Sequence, residues 1–205
     1  MARQLRDRYV LQAQREGYRS RAAYKLLQLD AKSKPRLLRA GAVALEVGAS
    51  PGSWTQVMAK SGLRVVGVDL LPCEPIDGSA FVQGDFTDER VQRRLLDELD
   101  GPADLVVSDV SPNRSGHGSL DEARLAAYAE QSIALARQCL KPGGSFVCKL
   151  LQGAELQPLL GRVKPLFDKG ALAKPPASRS KLEIYFIARG FKPEAFDEHW
   201  RVADG

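Results

Sequence analysis

The 205-residue sequence predicts an α/β protein built on one mostly parallel sheet with helices on both faces. Short apolar runs alternate with amphipathic helical patterns along the chain, which is typical of parallel α/β folds. One apolar run passes through a glycine turn straight into a helical pattern. Other apolar runs end in Asp or contain Lys. We expect these residues to lie at the edge of the sheet where parallel sheets bind ligands. The sequence shows no internal repeat and no interdomain linker, so we expect one α/β domain.

The chain begins with a basic arm, residues 1–20, which we expect to be frayed or helical. Apolar spacing predicts a short amphipathic helix over Arg21–Leu29. The apolar run Val43–Val47 predicts the first strand. A helix is predicted over Ser53–Lys60, closed by Gly62. This strand–turn–helix unit is the best-defined local structure in the sequence.

Six further strands bring the predicted total to seven. Asp88 is a suitable N-cap for an amphipathic helix that runs to Leu99, and residues 110–118 predict a polar loop. The other predicted elements are the strands Leu63–Val68, Ala80–Gln83, Ala103–Ser108, Ser145–Leu150, Ala171–Lys174 and Leu182–Ala188, and the helices Leu120–Cys139 and Leu156–Phe167.

Basic residues are concentrated in two parts of the chain. Residues 1–36 hold ten Lys and Arg against three acidic residues, and residues 162–192 hold eight against two. Because the net charge of the whole chain is only +5, the middle of the chain is acidic. Two basic ends around an acidic middle suit a polyanion lying across one face, so the sequence predicts a nucleic-acid partner.

The cysteines argue against a disulfide framework and against a metal site. Cys73, Cys139 and Cys148 are odd in number and lack C-x-x-C spacing. They are better interpreted as core residues of a protein in a reducing, cytoplasmic compartment. No apolar run approaches the roughly 20 residues of a membrane span, and the N-terminus has no apolar signal core. We expect no metal and no membrane association.

The turn Gly48–Gly52 predicts a nucleotide-like site. Its glycines and the following helix N-terminus favour a ligand, but it has neither the Gly-x-Gly-x-x-Gly pattern nor a phosphate loop. Asp69 follows an apolar strand 21 residues after Gly48, the spacing at which a carboxylate binds ribose hydroxyls. Asp85, one loop further, is placed to reach an adenine edge. NAD and S-adenosylmethionine both fit, and the missing glycine pattern favours a cofactor without a pyrophosphate.

Lys149 is anomalous because it interrupts the apolar run Phe146–Leu151. A lysine is rarely buried without a partner, and burial disfavours the charged form of an amine, which is one route to a general base. Asp109, at the end of the neighbouring predicted strand, is the expected partner. Glu183 interrupts another apolar run and Lys25 lies in the N-terminal helix. For these two residues, a solvated position agrees with the sequence equally well.

Seven stretches follow one another along the chain and carry a resemblance. They are Tyr18–Leu26, Gly48–Trp54, Asp69–Pro72, Gln83–Phe86, Ser108–Asn113, Pro142–Gly153 and Lys174–Tyr185. Together they resemble the FtsJ-type family of S-adenosylmethionine-dependent RNA ribose 2′-O-methyltransferases. The turn differs mildly from the usual Gly-Ala-Ala-Pro-Gly-Gly-Trp at Ser50 and Ser53. Glu46 replaces a more usual Asp, and Ser111 stands where Ala is common.

The resemblance implies a Rossmann-like methyltransferase fold whose seven-stranded sheet has an antiparallel final strand. It also implies site residues. The implied catalytic set is Lys25, Asp109, Lys149 and Glu183. The implied contacts to S-adenosylmethionine are Gly52, Trp54, Asp69, Asp85 and Asp109, to which the turn itself adds Gly48.

The family's substrates include a uridine of large-subunit ribosomal RNA, in the assembling subunit, and riboses of the tRNA anticodon loop. The compact length favours the ribosomal substrate, whereas Gly17-Tyr18 before Arg19-Ser-Arg21 also suits the tRNA branch. A non-catalytic RNA-binding protein is disfavoured by the intact catalytic set, and an NAD enzyme by the turn. We expect a monomer with an arm (1–20), a methyltransferase domain (21–192) and a C-terminal tail (193–205).

Overall fold

A computed structural model of the chain describes residues 7–111 and 118–195. These residues form six α-helices, one short 3₁₀ helix (Lys164–Leu166) and a single sheet of seven strands. The helices are α1 (Arg8–Glu16), α2 (Ala23–Lys32), α3 (Ser53–Lys60), α4 (Glu89–Leu99), α5 (Gly118–Cys139) and α6 (Leu156–Val163). The strands are β1 (Val43–Val47), β2 (Arg64–Asp69), β3 (Ser79–Gln83), β4 (Ala103–Ser108), β5 (Leu140–Leu151), β6 (Phe167–Ala173) and β7 (Glu183–Phe191).

The sheet has the strand order β3-β2-β1-β4-β5-β7-β6. Strands β1 to β5 pair in parallel, whereas β7 is antiparallel to both of its neighbours, β5 and β6. The predicted mostly parallel sheet with an antiparallel final strand is therefore confirmed. Because β7 runs the opposite way, its first residue, Glu183, pairs with Leu151 at the end of β5. The start of β7 thus lies at the edge where the parallel strands end.

Helices cover both faces of the sheet, as predicted. One core joins α4, α5 and α6 to the strands, and its largest buried side chains include Leu95, Ile133 and Phe146. The other core joins α2 and α3 to the opposite face through Leu26 and Met58. Both cores extend across most of the sheet, so the edge where the parallel strands end has rigid support on each side.

Three element boundaries differ from the sequence prediction by four or five residues. α6 ends at Val163 because Pro165, which has no backbone N–H, lies in the 3₁₀ turn that follows. β5 begins at Leu140, directly after α5. β6 begins at Phe167 rather than Ala171, since the polar residues that hid its start lie on an edge strand and face solvent. None of the described helices is both long and apolar enough to cross a membrane.

The described part of the N-terminal arm packs on the domain. Asp7 caps α1 by accepting from the Tyr9 backbone N–H (3.0 Å), and its carboxylate also pairs with Arg21 and, at 3.0 Å, with Arg179. Burial alone would raise the pKa of Asp7, but the Arg179 and Tyr9 hydrogen bonds and the Arg21 charge lower it. The arm is therefore joined to the loop between β6 and β7. The predicted C-terminal tail lies mostly outside the described residues.

Candidate active site

A cavity of about 300 Å³ opens where β1, β2, β3 and β4 end. Its wall is formed by the turn after β1, the loops after β2 and β3, the segment after β4 and one side chain of α5, Tyr128. Four predicted site residues line it: Gly48, Asp69, Asp85 and Asp109. We call the part of this wall contributed by residues 48–86 the cradle.

Asp69 holds two walls of the cradle together. Its carboxylate accepts from the backbone N–H of Ser50 and from that of Leu71, each at 2.9 Å. Asp85 accepts from the backbone N–H and the hydroxyl of Thr87, at 2.9 and 2.8 Å. An ionised carboxylate has about four acceptor sites, so each aspartate keeps capacity for a ligand hydroxyl or amino group.

The glycines of the turn are required by close approach of the chain to itself. A Cβ on Gly48, whose φ is +83°, would lie 2.7 Å from the backbone N of Val110. A Cβ on Gly52, at φ +101°, would lie 2.5 Å from Nη1 of Arg19. The sequence predicted that these glycines make room for a ligand. In the structure, Val110 lies beside Gly48 and Arg19 lies beside Gly52. Gly52 does not line the cavity.

Trp54 also lies outside the cavity wall. Its side chain is buried, its Nε1–H donates to the carbonyl of Ala22 (2.8 Å), and its ring packs against Tyr185. The side chain therefore faces α2. A contact with a ligand would have to come from the backbone N–H of Trp54 in the first turn of α3, a helix without a side-chain N-cap. Cofactor binding by Gly52 and Trp54 stays a prediction.

Arg19 clamps the outside of the cradle. Its guanidinium donates to the carbonyls of Pro51 (2.9 Å), Glu74 (2.8 Å) and Pro75 (3.0 Å). Its backbone N–H donates to Oε1 of Gln56 on α3 (2.8 Å). The sequence suggested only a positive charge at this position, and it holds no signal for a clamp because all the acceptors lie at least 32 residues away.

Beside the cavity, the structure brings together Lys25, Asp109, Lys149 and Glu183, which we call the lysine–carboxylate cluster. Lys149 Nζ lies 3.4 Å from Oδ1 of Asp109 and donates to the Asp109 carbonyl at 2.7 Å. Lys25 Nζ lies 3.1 Å from Oε2 of Glu183 and 3.8 Å from Oδ2 of Asp109. The predicted partnership of Lys149 with Asp109 is confirmed.

All four cluster side chains are largely removed from solvent. The side chain of Lys149 is 5% exposed, and those of the other three are 14–15% exposed. The solvated positions that the sequence allowed for Lys25 and Glu183 are therefore wrong. The nitrogens of two lysines face two carboxylates, and a charge buried in such a site needs a partner of opposite sign.

Three further side chains support the cluster and were missed as partners from the sequence. The Tyr185 hydroxyl donates to Oδ1 of Asp109 (2.7 Å), the Ser178 hydroxyl donates to Oε1 of Glu183 (2.6 Å), and Ser111 Oγ contacts Lys149 Nζ. For Tyr185 a signal existed, since residues two apart on a strand lie on one face and Glu183 is two residues earlier. The two serines had no such signal.

The buried carboxyl groups differ in their ionisation. Burial alone would raise the pKa of Asp109, but the charges of Lys149 and Lys25 and the Tyr185 hydroxyl hold it below its ordinary value. Glu46, on β1, is 1% exposed, and burial raises its pKa to about 8 despite the Thr55 hydroxyl at 2.5 Å. At neutral pH, Asp109 is ionised and Glu46 carries a proton.

The arrangement suits proton handling rather than covalent catalysis by a thiol. Burial raises the pKa of Cys139 and that of Cys148 to about 12, and burial also raises the pKa of the half-buried Cys73, so the thiolate forms are disfavoured. Lys149, in contrast, contacts Asp109 and Ser111, two residues that line the cavity. A hydroxyl group placed against this amine would lie at the border between the cluster and the cavity.

The chain is similar to known proteins along most of its length. The FtsJ-like methyltransferase family matches residues 18–191. Ribosomal RNA large subunit methyltransferase E of Gluconobacter oxydans is 46% identical over 194 residues, 94% of this chain and 72% of that protein. The protein of the same name from Chromobacterium violaceum is 45% identical over 90% of this chain and 91% of its own length.

A solved structure extends the likeness to the fold. A Plasmodium falciparum chain described as a ribosomal RNA methyltransferase aligns with a TM-score of 0.75 at 28% identity. The alignment covers 85% of this chain and 98% of that one. Because the family match runs from α2 through the whole sheet to the end of β7, it includes the cavity and the cluster together. The chain belongs to the FtsJ-like methyltransferase family.

Proposed function

We propose that this chain transfers a methyl group from S-adenosylmethionine to a ribose 2′-hydroxyl of large-subunit ribosomal RNA. The observation that carries the proposal is the position of Lys149, buried against Asp109 where the lysine–carboxylate cluster meets the cavity. The substrate class is supported by relatives that are named ribosomal RNA large subunit methyltransferase E. The target base, a uridine, and a cytoplasmic location follow from the family resemblance.

The cavity fits S-adenosylmethionine by the chemistry of its walls. Asp69 and Asp85 offer acceptors to the ribose hydroxyls and the adenine amino group, as their spacing predicted. Leu71 and Phe86 offer apolar surface to an aromatic base, and Phe86 is held edge-on against Tyr128 at 5.7 Å. When bound, the cofactor supplies a methyl group activated by its sulfonium.

Lys149 orients the ribose 2′-hydroxyl and takes its proton. Asp109 fixes the amine through both its carboxylate and its backbone carbonyl, so the nitrogen has little freedom to move. Because the pKa of Asp109 is held low, its negative charge persists at neutral pH and stabilises the positive charge that forms on the amine. General-base assistance of this kind contributes about 10²–10⁴-fold to a rate.

Lys25 and Glu183 hold the nucleotide in place. Lys25 lies between the carboxylates of Glu183 and Asp109, and Ser178 fixes the far oxygen of Glu183. This leaves donors and acceptors in defined positions next to the reacting hydroxyl. Alignment of well-held reactants is worth up to roughly 7–11 kcal/mol of the barrier, which is the larger part of what the site must supply.

The proposal is tested by methylating ribosomal particles taken from a strain that lacks the protein, with a radiolabelled methyl donor. We expect label at one ribose of large-subunit RNA, located by resistance of the adjoining phosphodiester to alkaline hydrolysis. Small-subunit particles and tRNA serve as matched substrates and should stay unlabelled. Label in tRNA alone, or on a base instead of a ribose, would contradict the proposal.

A further inference from the structure

A second, strongly basic hollow lies along the edge strand β6, away from the cavity. It has a volume of about 480 Å³, and its floor is the sheet face at Ala171, Ala173 and Ile187. Its rim carries five cations: Lys32, Lys34, Lys169, Lys174 and Arg189. None of the described residues that line it is acidic. We call this hollow the β6 groove.

The groove continues into a neighbouring hollow of about 300 Å³, because Lys34, Lys169 and Arg189 line both. The second hollow adds Arg39 to the basic rim and includes one acidic residue, Asp168. From Lys169 to Lys174 the rim follows β6 for about 17 Å, at the usual rise of a strand. The continuous surface is long enough for an extended polymer rather than a single small anion.

The cations of the rim are poorly neutralised by the protein. Lys34 and Lys169 are exposed, and their side chains make no hydrogen bond or ion pair with the described residues. Burial lowers the pKa of Arg189, and the positive charge of Arg39 lowers it further. The nearby carboxylate of Asp30 is already occupied by Arg36 (2.8 Å) and two backbone N–H groups. Like charges held together in this way are stabilised by an anion from outside.

The groove leads away from the lysine–carboxylate cluster. Lys25 and Lys32 lie seven residues apart on α2, which places them on one face of the helix about 10 Å apart. At the same end, Ala173 pairs with Tyr185, whose hydroxyl contacts Asp109. The start of the loop after β6 separates the two sites, because the Ala177 N–H donates to Gln28 of α2 (2.8 Å) and Lys32 donates to the Lys174 carbonyl (3.4 Å). An RNA chain held at the cluster therefore passes over this loop to reach the groove.

We propose that the β6 groove binds the sugar–phosphate backbone of the RNA substrate at a distance from the target nucleotide. The inference rests on the proposed function, since it assigns a second part of the same RNA to a second surface. Phosphates would pair with the basic rim, and sugars would lie over the small apolar side chains of the floor. Contacts of this kind give affinity and register, and they carry no base specificity.

The test uses the full chain with Lys34→Ala and Lys169→Ala combined. We expect weaker binding to a long large-subunit RNA, by about tenfold, and a salt slope of log K that is smaller by about 1–2. A short oligoribonucleotide around the target should bind with unchanged affinity, and kcat at saturating long RNA should be unchanged. The matched control is Arg93→Ala with Arg94→Ala, two exposed cations on α4, which packs at the opposite edge of the sheet.

An unchanged affinity and salt slope in the Lys34/Lys169 variant would overturn the inference, as would an equal loss in the α4 control. A fall in kcat at saturating RNA would also overturn it, because the groove is assigned to binding alone. If the double alanine variant melts at a lower temperature than the unaltered chain, Lys34→Gln combined with Lys169→Gln is used in its place. If the unaltered chain methylates no RNA, the proposed function fails, whereas the groove inference is still decided by RNA affinity and its salt slope, which need no turnover.

Discussion

The cradle and the lysine–carboxylate cluster lie side by side at one edge of the sheet, yet they are built differently. The cradle comes from residues 48–86, and its parts are joined by short-range contacts such as Asp69 to Ser50 and to Leu71. The cluster joins residues as far as 158 positions apart, on α2, β5 and β7 and after β4. A local segment can shape the cofactor side, whereas the chemistry exists only when the whole sheet has assembled.

The sharpest way to separate the two regions is Lys149→Ala. We expect methylation to fall by about 10²–10⁴-fold or more, because both the base and the partner of Asp109 are lost. Cofactor affinity should stay within about twofold, since no residue of the cradle contacts this amine. Turnover is measured with labelled donor, and affinity by titration calorimetry.

Lys141→Ala is the matched control, because it removes a lysine from the other end of the same strand. It should leave turnover near that of the unaltered chain. Nearly normal turnover in Lys149→Ala would contradict the assignment of Lys149. A large loss of cofactor affinity would instead show that the two regions do not act separately.

Glu46 tests the electrostatics between the two regions, because burial raises its pKa and the negative charges of Asp109 and Asp69 raise it further. The native carboxyl keeps its proton up to a pKa of about 8, whereas the unfolded chain releases it near 4.5. Between these values the unfolded state binds fewer protons, so the free energy of unfolding falls by about 1.4 kcal/mol per pH unit as pH rises. Glu46→Gln should remove this contribution, about 3 kcal/mol between pH 5 and pH 7.

Urea unfolding of Glu46→Gln at several pH values gives the measurement. Glu98→Gln, a change at an exposed carboxyl on α4, should leave the pH dependence as it was. If the Glu46 variant keeps the full pH dependence of the unaltered chain, the carboxyl is not protonated as described.

Asp69→Ala tests the same separation by altering the cradle and leaving the lysine–carboxylate cluster intact. Loss of the acceptor for the Ser50 and Leu71 N–H groups should loosen two walls and weaken cofactor binding by about 10–100-fold. RNA affinity and kcat at saturating cofactor should change little. Asp97→Ala removes an exposed carboxylate from α4 and should change neither cofactor affinity nor kcat. A fall in kcat as large as the fall in cofactor affinity would contradict the separate roles of the cradle in cofactor binding and of the cluster in catalysis.

The smallest expected effect is that of Tyr185→Phe, which removes one hydrogen bond to Asp109. One such bond to a charged group is worth enough to lower kcat about tenfold. Since the Tyr185 hydroxyl helps to hold the pKa of Asp109 down, the acidic limb of the pH–rate profile should also move to higher pH. Tyr24→Phe, which loses a hydrogen bond to Glu16, a residue outside the cluster, should show neither change.

The contrast between the regions also explains what the sequence could predict. Asp69 and Asp85 line the cavity, and their signal in the sequence is local: an apolar strand with a carboxylate at its end or two residues beyond it. Lys149 was found because a charge inside an apolar run is conspicuous. Arg19 and Ser178 could not be found, since their partners depend on how loops pack in three dimensions. Periodicity predicted the strands and the family resemblance predicted an antiparallel final strand, whereas the position of β7 between β5 and β6 was found only in the structure.

The Arg19 clamp has a thermodynamic consequence for the affinities with which ligands bind. It ties the basic arm to the turn at Pro51 and to the loop at Glu74, so the arm and the cradle share hydrogen bonds. A ligand that prefers the clamped arm must raise the affinity of the cradle by some factor. By reciprocity, a ligand in the cradle then raises the affinity of the arm by the same factor. A single guanidinium thereby makes the affinities of two separate surfaces depend on each other.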